Sequence, residues 1–183
     1  IIQDKIHIQK ESNRMQFEKI QVKHLLTHTM GYDKVLLMRK DVKNIDPYDY
    51  LDLIVNSDLV HEPGDYYLYS NASFYMLSVV LQEYLQEDLL SFANRKLFKP
   101  LGINDYQWEY YGHYLAGATR LYLHIEDLLK LGQVLLHEGT YQKHRYFSKE
   151  WFALMTKKSS KTPYVDTPNR LFRRFAYGHG LWL

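Results

Sequence analysis

The chain has 183 residues, which is enough for one domain with a hydrophobic core but not for two of ordinary size. Its 46% hydrophobic and 24% charged residues are typical of a globular protein, and a net charge of +2 without a long basic run argues against nucleic-acid binding. The absence of cysteine excludes a disulfide framework, a thiol nucleophile and a cysteine-based zinc site. No apolar run approaches the roughly 18 residues that a membrane-spanning helix requires.

The amino-terminal half is predicted to contain three helices. The first covers residues 20–29, with Gly31 as its stop. Asp46 and Pro47 predict the start of the second, since Asp accepts hydrogen bonds from free amides and Pro fits the first helical position. The third covers residues 71–84. Its predicted apolar face consists of Phe74, Leu77, Val80, Leu81 and Tyr84.

The carboxy-terminal half continues the helical pattern. Helices are predicted over residues 89–98 and 125–136, and a last one, capped by Ser148, should reach Met155. The segment 176–183 is predicted to be a strand without a partner. The apolar side of the 125–136 helix consists of Ile125, Leu128, Leu129, Leu135 and Leu136. The sequence therefore predicts a mainly α fold with little sheet.

Two histidines four residues apart, His24 and His28, would share one face of the first predicted helix. This spacing is typical of zinc ligands, but the intervening residues lack the glutamate of His-Glu-x-x-His metalloproteases, and no third ligand is evident. We therefore expect both histidines to pack and form hydrogen bonds, and we predict neither a metal nor a cofactor.

Tyr69 and Asn71 are the leading candidates for chemistry. They are separated by one residue in a loop that leads into a predicted helix, so both side chains can point into one cleft. A tyrosine that loses its proton beside a cation can act as a general base, and an asparagine can hold a substrate amide. The alternative is structural: Tyr69 packs at the start of the helix, and Ser70 or Asn71 caps it.

Five segments, in order along the chain, resemble motifs of the class C β-lactamase and penicillin-binding serine hydrolase family. Residues 22–31 (VKHLLTHTMG) are similar to its HLLTHTSG signature, with Met where Ser is usual. Residues 62–72 resemble its PG…YSN segment, and residues 98–103 resemble F-x-PLGM. Residues 116–136 are similar to AGG…DL…LL, and residues 177–182 are similar to the strand YGYGW. Together, the five similar segments extend over nearly the whole chain.

The resemblance implies a serine hydrolase. Members of this family use a Ser-x-x-Lys helix, a Tyr-x-Asn loop and a Lys-Thr-Gly or His-x-Gly strand around one cleft. The resemblance gives Tyr69 the catalytic role of the tyrosine and Asn71 the substrate-binding role of the asparagine. It implies acyl transfer or hydrolysis on a D-Ala-D-Ala peptide, a β-lactam or an ester, in an extracytoplasmic or cell-surface bacterial protein.

Two of the three catalytic motifs are missing. No serine is followed three positions later by lysine, and the Thr140–Lys143 pair has that spacing by chance, in a loop. Residues 161–163 (Lys-Thr-Pro) precede the predicted strand instead of following it, and their proline cannot donate a ladder hydrogen bond. Because the sequence begins with Ile1 and not Met, we expect an internal fragment that is inactive alone, with the serine upstream and the third motif downstream.

The expected domain is a single partial β-lactamase-like domain over residues 1–183. Residues 1–175 would be the mostly helical subdomain of an α+β fold, and residues 176–183 would start the returning sheet of its α/β half. Expected partners are the substrate and the missing parts of the same fold, and exposed apolar surface favours self-association. Two rival interpretations are a non-catalytic peptidoglycan- or peptide-binding module with the same fold and a purely structural helical domain.

Overall fold

The computed structural model describes residues 2, 5–159, 165–166 and 174–183. Within this part of the chain, eight α-helices alternate with short strands and turns. The helices are α1 (Glu11–Lys19), α2 (Val22–Leu26), α3 (Asp41–Asn44), α4 (Tyr50–Asn56), α5 (Asn71–Leu85), α6 (Leu89–Ala93), α7 (Ile125–Leu136) and α8 (Lys149–Met155). A 3-10 turn, Pro47–Asp49, precedes α4, and a π-helical turn, Asn94–Phe98, continues α6. None of the helices in these ranges is long and apolar enough to cross a membrane.

The strands form only small sheets. They are β1 (Tyr106–Trp108), β2 (Tyr110–Tyr111), β3 (Tyr114–Leu115), β4 (Leu121–Leu123), β5 (Thr140–Tyr141), β6 (His144–Arg145), β7 (Val165–Asp166) and β8 (Arg174–Phe175). They pair as β1–β4, β2–β3, β5–β6 and β7–β8, and every pair is antiparallel. The large helical content of the described residues agrees with the prediction from sequence.

Helix α5 is the centre of the larger hydrophobic core. Ser70 is its N-cap, because the serine Oγ accepts a hydrogen bond from the Ala72 amide at 3.3 Å. The predicted apolar face is confirmed only in part, since Leu77 and Val80 pack half-buried against the core whereas Tyr84 is exposed. Helix α5 packs against α2 and β3, and a second side of the helix is buried more completely than the predicted one. The buried residues are Ala72, Ser73, Tyr75, Met76, Ser78 and Val79.

A smaller core lies between the end of α6 and α7. Phe98, Leu101, Ile103 and Val134 are its buried residues, and the β1–β4 hairpin packs partly against them. The predicted 89–98 helix corresponds to α6 together with its π-helical turn. The larger core is therefore built around α5, and the smaller core around the end of α6 and α7.

Helix α7 has the predicted bounds, but its predicted apolar side is exposed to solvent. Ile125, Leu128, Leu129 and Leu136 are between 53% and 72% exposed. The helix contacts the small core mainly through Val134. In the described structure, therefore, α7 presents a row of large aliphatic side chains without a covering element.

The segment 176–183 folds back and pairs with itself as a short hairpin. Ala176 and Leu183 exchange two backbone hydrogen bonds of 3.2 and 2.9 Å, and Tyr177 forms a bridge with Trp182. The prediction of a strand without a partner is wrong, because Gly180 adopts a φ of +82° that allows the chain to turn back. The Gly180 amide donates to the Leu26 carbonyl at 2.9 Å, so this terminal hairpin is attached to the end of α2.

Candidate active site

The loop that carries Tyr69 is held against the segment that follows α2. The Gly64 amide donates to the Thr29 carbonyl at 2.8 Å, and the Leu68 amide donates to the His28 carbonyl at 2.9 Å. Gly31 has a φ of +113°, and a Cβ there would overlap the His61 carbonyl. The glycine of this motif is therefore required by the close approach of two backbone segments.

Tyr69 and Asn71 line one open pocket of about 260 Å³, called here the Tyr69 pocket. The sequence-predicted pair is thus brought together in space. Its walls come from the end of α2, the start of α5, the turn after β3 and the terminal hairpin. The lining residues are His28, Tyr69, Ser70, Asn71, Phe74, Gly117, Ala118, Tyr177, Gly180 and Trp182.

The Tyr69 side chain is partly exposed. Its ring packs against the His28 ring at a centroid distance of 4.3 Å and against the Trp182 ring at 5.5 Å, yet 42% of its surface remains accessible. Within the described residues its hydroxyl has no hydrogen-bond partner. Packing therefore fixes the ring, while the oxygen is available to a bound molecule.

Asn71 is the first residue of α5, and Ser70 provides the helix cap. The Asn71 Nδ2 donates a hydrogen bond to the Leu37 carbonyl at 3.0 Å, which orients the carboxamide. In the described part of the chain, the Asn71 Oδ1 accepts no hydrogen bond. The capping function considered for Asn71 belongs instead to Ser70, whose Oγ also donates to the Leu36 carbonyl at 3.0 Å.

His28 is a residue of this site that sequence reasoning missed. It is 2% exposed, and its Nδ1 accepts a hydrogen bond from the Ser70 amide at 3.3 Å. The proton of the neutral ring must therefore lie on Nε2, which donates to the Tyr177 hydroxyl at 3.2 Å. Burial lowers the pKa of His28 to about 4, so the ring is neutral at pH 7. The only sequence signal was its place in the 22–31 motif.

The tyrosines around His28 are held in an apolar environment. Burial raises the pKa of Tyr67 to about 12, and its hydroxyl is buried without a hydrogen-bond partner in the described residues. Burial, followed by the neighbouring Tyr69, also raises the pKa of Tyr177 above its ordinary value. No lysine or arginine is among the described residues that line the pocket. If Tyr69 loses its proton, the cation that stabilises its phenolate must come from a residue other than those that line this pocket.

The structure separates His24 from His28. Helix α2 ends at Leu26, and His28 has a left-handed φ of +54°, so the two histidines do not share a helix face. His24 Nδ1 accepts a hydrogen bond from the Gln21 amide at 3.2 Å, while His28 uses both ring nitrogens at the Tyr69 pocket.

Two segments only superficially resemble the missing catalytic motifs. Thr140 begins the β5–β6 hairpin and Lys143 lies in its turn, whereas residues 161–163 lie outside the described residues.

The sequence profile of the Beta-lactamase family matches residues 3–142. This match covers most of the chain, and the protein therefore belongs to the Beta-lactamase family. No curated protein sequence is significantly similar to the chain.

Solved structures support the same fold. The chain is similar to a penicillin-binding protein from Bacillus halodurans, with 18% identity and a TM-score of 0.64, over 98% of this chain and 63% of that one. It is similar to the octameric penicillin-binding protein homologue from Pyrococcus abyssi, with 17% identity and a TM-score of 0.63, over 97% and 48% of the two chains. A D-stereospecific amidohydrolase from Streptomyces sp. gives 16% identity and a TM-score of 0.62, over 99% and 65%. The chain thus spans about half to two thirds of the length of these structures.

Proposed function

We propose that this chain supplies the Tyr-x-Asn part of the active site of a serine hydrolase. The reaction would be hydrolysis or transfer of an acyl group from a D-Ala-D-Ala peptide, a β-lactam or an ester, through an ester on a serine. The observation that carries the proposal is that Tyr69 and Asn71 line one open pocket. Family membership and the names of the similar hydrolases and penicillin-binding proteins support the same reaction class.

Tyr69 would act as the general base. Its phenolate oxygen would take the proton of the attacking serine hydroxyl and then give it to the leaving group. The lining contains no lysine or arginine among the described residues, and buried His28 is neutral at pH 7. The cation that favours the phenolate would therefore be the lysine of a Ser-x-x-Lys helix, which these 183 residues do not contain.

Asn71 would position the substrate. Its Nδ2 is engaged with the Leu37 carbonyl, so the carboxamide is already oriented before a substrate binds. Its Oδ1 could then accept a hydrogen bond from the amide N–H next to the scissile carbonyl. A preoriented acceptor of this kind lowers the entropic cost of placing the reacting bond.

The chain would represent a single partial domain, with residues 1–175 as the mostly helical part and residues 176–183 as the start of the returning sheet. Without a nucleophile it would be inactive alone, since no acyl-enzyme can form. Its partners would be the substrate and the remaining segments of its own fold, and the protein would act outside the bacterial cytoplasm or at the cell surface. It would need no cofactor.

Labelling of the full-length gene product with a fluorescent penicillin and a fluorophosphonate tests this proposal. A covalent adduct on a serine outside these 183 residues is the expected result, and digestion followed by mass spectrometry locates it. The absence of any adduct, with retained binding of a D-Ala-D-Ala peptide, would replace the hydrolase with the non-catalytic binding module. The absence of both would leave only a structural role.

A further inference from the structure

A second pocket, of about 550 Å³, lies beside the end of α2 and shares no lining residue with the Tyr69 pocket. It is formed where α2, the 63–65 turn, the end of α8 and the terminal hairpin meet. We call it the lysine pocket, because three lysines belong to its wall. The lining residues are Lys23, His24, Thr27, Thr29, Pro63, Gly64, Asp65, Leu154, Lys157, Lys158, Ser159 and His179.

The wall of the lysine pocket contains an unused hydrogen-bond donor. His24 is only 8% exposed, and its Nδ1 accepts the Gln21 amide at 3.2 Å. Burial and the charge of Lys23 lower the pKa of His24, so the ring is neutral and its single proton lies on Nε2. Among the described residues this Nε2–H has no acceptor. His24 belongs to the pocket wall, so this N–H is available to an acceptor in a bound molecule or in water.

The charge around this donor is positive. Lys23 and Lys157 form no ion pair with any residue in the described part of the chain, and Lys158 also lines the pocket. Asp65 is the single carboxylate among the described residues of the wall, and His179 is engaged through Nδ1 with the Leu154 carbonyl at 3.2 Å. Lys23 and Lys157, which have no ion pair among the described residues, give this concave site an excess of positive charge.

We propose that the lysine pocket binds a phosphate group. A neutral N–H donor and lysine ammonium groups in the wall of one pocket match an oxyanion that accepts several hydrogen bonds at once. It does not suit a cation, because lysine ammonium groups dominate the wall, nor an apolar ligand, because the donor would stay unpaired. The volume is several times that of one phosphate, so the pocket accommodates a phosphate ester as well as the free anion.

The test is a titration of the 183-residue chain, followed by the NMR signals of the His24 ring. Sodium phosphate, glycerol phosphate and sodium acetate are added at pH 7.5, with sodium chloride at equal ionic strength as the blank. Saturable shifts of the His24 ring with phosphate or glycerol phosphate, and smaller ones with acetate, are expected. If glycerol phosphate binds more tightly than inorganic phosphate, the preferred ligand is a phosphate ester. If the two bind equally, the preferred ligand is the free phosphate anion. Shifts equal to those with chloride or acetate would overturn the proposal.

Lysine variants give a second readout that does not perturb the fold. Lys23→Gln and Lys157→Gln should each weaken phosphate binding by up to about fivefold, as expected for one exposed charge pair. Lys43→Gln removes the same charge from an exposed position outside the pocket and should leave binding unchanged. An equal loss in Lys43→Gln would show a general charge effect and refute the site. Tyr69→Phe should not alter phosphate binding, so this test is independent of the proposed hydrolase function.

Discussion

Replacement of His28 by asparagine should remove a pH dependence of stability that the original chain has between pH 7 and pH 4. The His28 ring is buried, and its pKa in the folded chain is about 4. In the unfolded chain the pKa of a histidine is about 6.5. As the pH falls, the unfolded state therefore binds this proton first, and the free energy of unfolding falls.

The size of the effect follows from the two pKa values. A difference of about 2.5 units at about 1.4 kcal/mol per unit amounts to about 3 kcal/mol between pH 7 and pH 4. Asparagine is the suitable replacement, because it tolerates the left-handed φ of +54° at this position better than most residues. Its Oδ1 can also accept the hydrogen bond from the Ser70 amide.

Urea unfolding at pH 7, 5.5 and 4, followed by circular dichroism, measures this difference. The original chain should lose about 3 kcal/mol more than His28→Asn over this range, since the titration of carboxylates is common to both proteins. His124→Asn removes an exposed histidine whose pKa is raised by its hydrogen bond with Asp105, so this variant should not flatten the pH profile as His28→Asn does. Parallel pH profiles for the original chain and His28→Asn would refute the neutral buried histidine.

Three further substitutions test other parts of the structure. Gly117→Ala should destabilise the chain by about 1–3 kcal/mol in urea unfolding, because its φ is +62° and a Cβ would overlap the Phe74 carbonyl. Asn71→Ala should cost about 1 kcal/mol in the same assay, since the Leu37 carbonyl loses its donor. Leu129→Glu on exposed α7 should reduce self-association of the chain in analytical ultracentrifugation.

Each of these predictions has a matched control. Gly132→Ala lies within α7 where a Cβ meets nothing within 4 Å, so it should not destabilise the chain. Asn44→Ala removes an exposed amide from the end of α3 and should be neutral in stability. Met15→Glu places the same charge on an exposed side chain outside α7. If a variant behaves like its control, the corresponding structural argument is wrong. If the original chain is already monomeric, the exposed face of α7 does not cause self-association.

Local sequence signals predict the elements that depend on them. Asp46 accepts a hydrogen bond from the Tyr48 amide at 2.9 Å, and Ser148 accepts one from the Trp151 amide at 3.1 Å, as their positions before helices suggest. The bounds of α7 follow from its apolar period and its acidic first turn. These features need only neighbouring residues, and for that reason they can be read from sequence.

Features that depend on distant residues could not be predicted. Helix α1 is mostly polar, and it is attached to the core through Asn13, whose Nδ2 donates to the carbonyls of Val55 and Ser57. The juxtaposition of Tyr69 and Asn71 followed from their spacing, but the place of His28 between Ser70 and Tyr177 depends on contacts across 42 and 149 residues. Periodicity contains no information about such contacts.

The proposed role of Tyr69 is tested most directly by the acylation rate of the full-length protein with a chromogenic β-lactam or ester. Tyr69→Phe keeps the ring contacts with His28 and Trp182 and removes only the oxygen. Tyr66→Phe is the matched control, since Tyr66 is 41% exposed, close to the 42% of Tyr69, and does not line the pocket. We expect a rate loss of about 10² to 10⁴ in Tyr69→Phe, the range for a lost general base, and a parental rate in Tyr66→Phe. A parental rate in Tyr69→Phe, with unchanged thermal stability, would contradict the account.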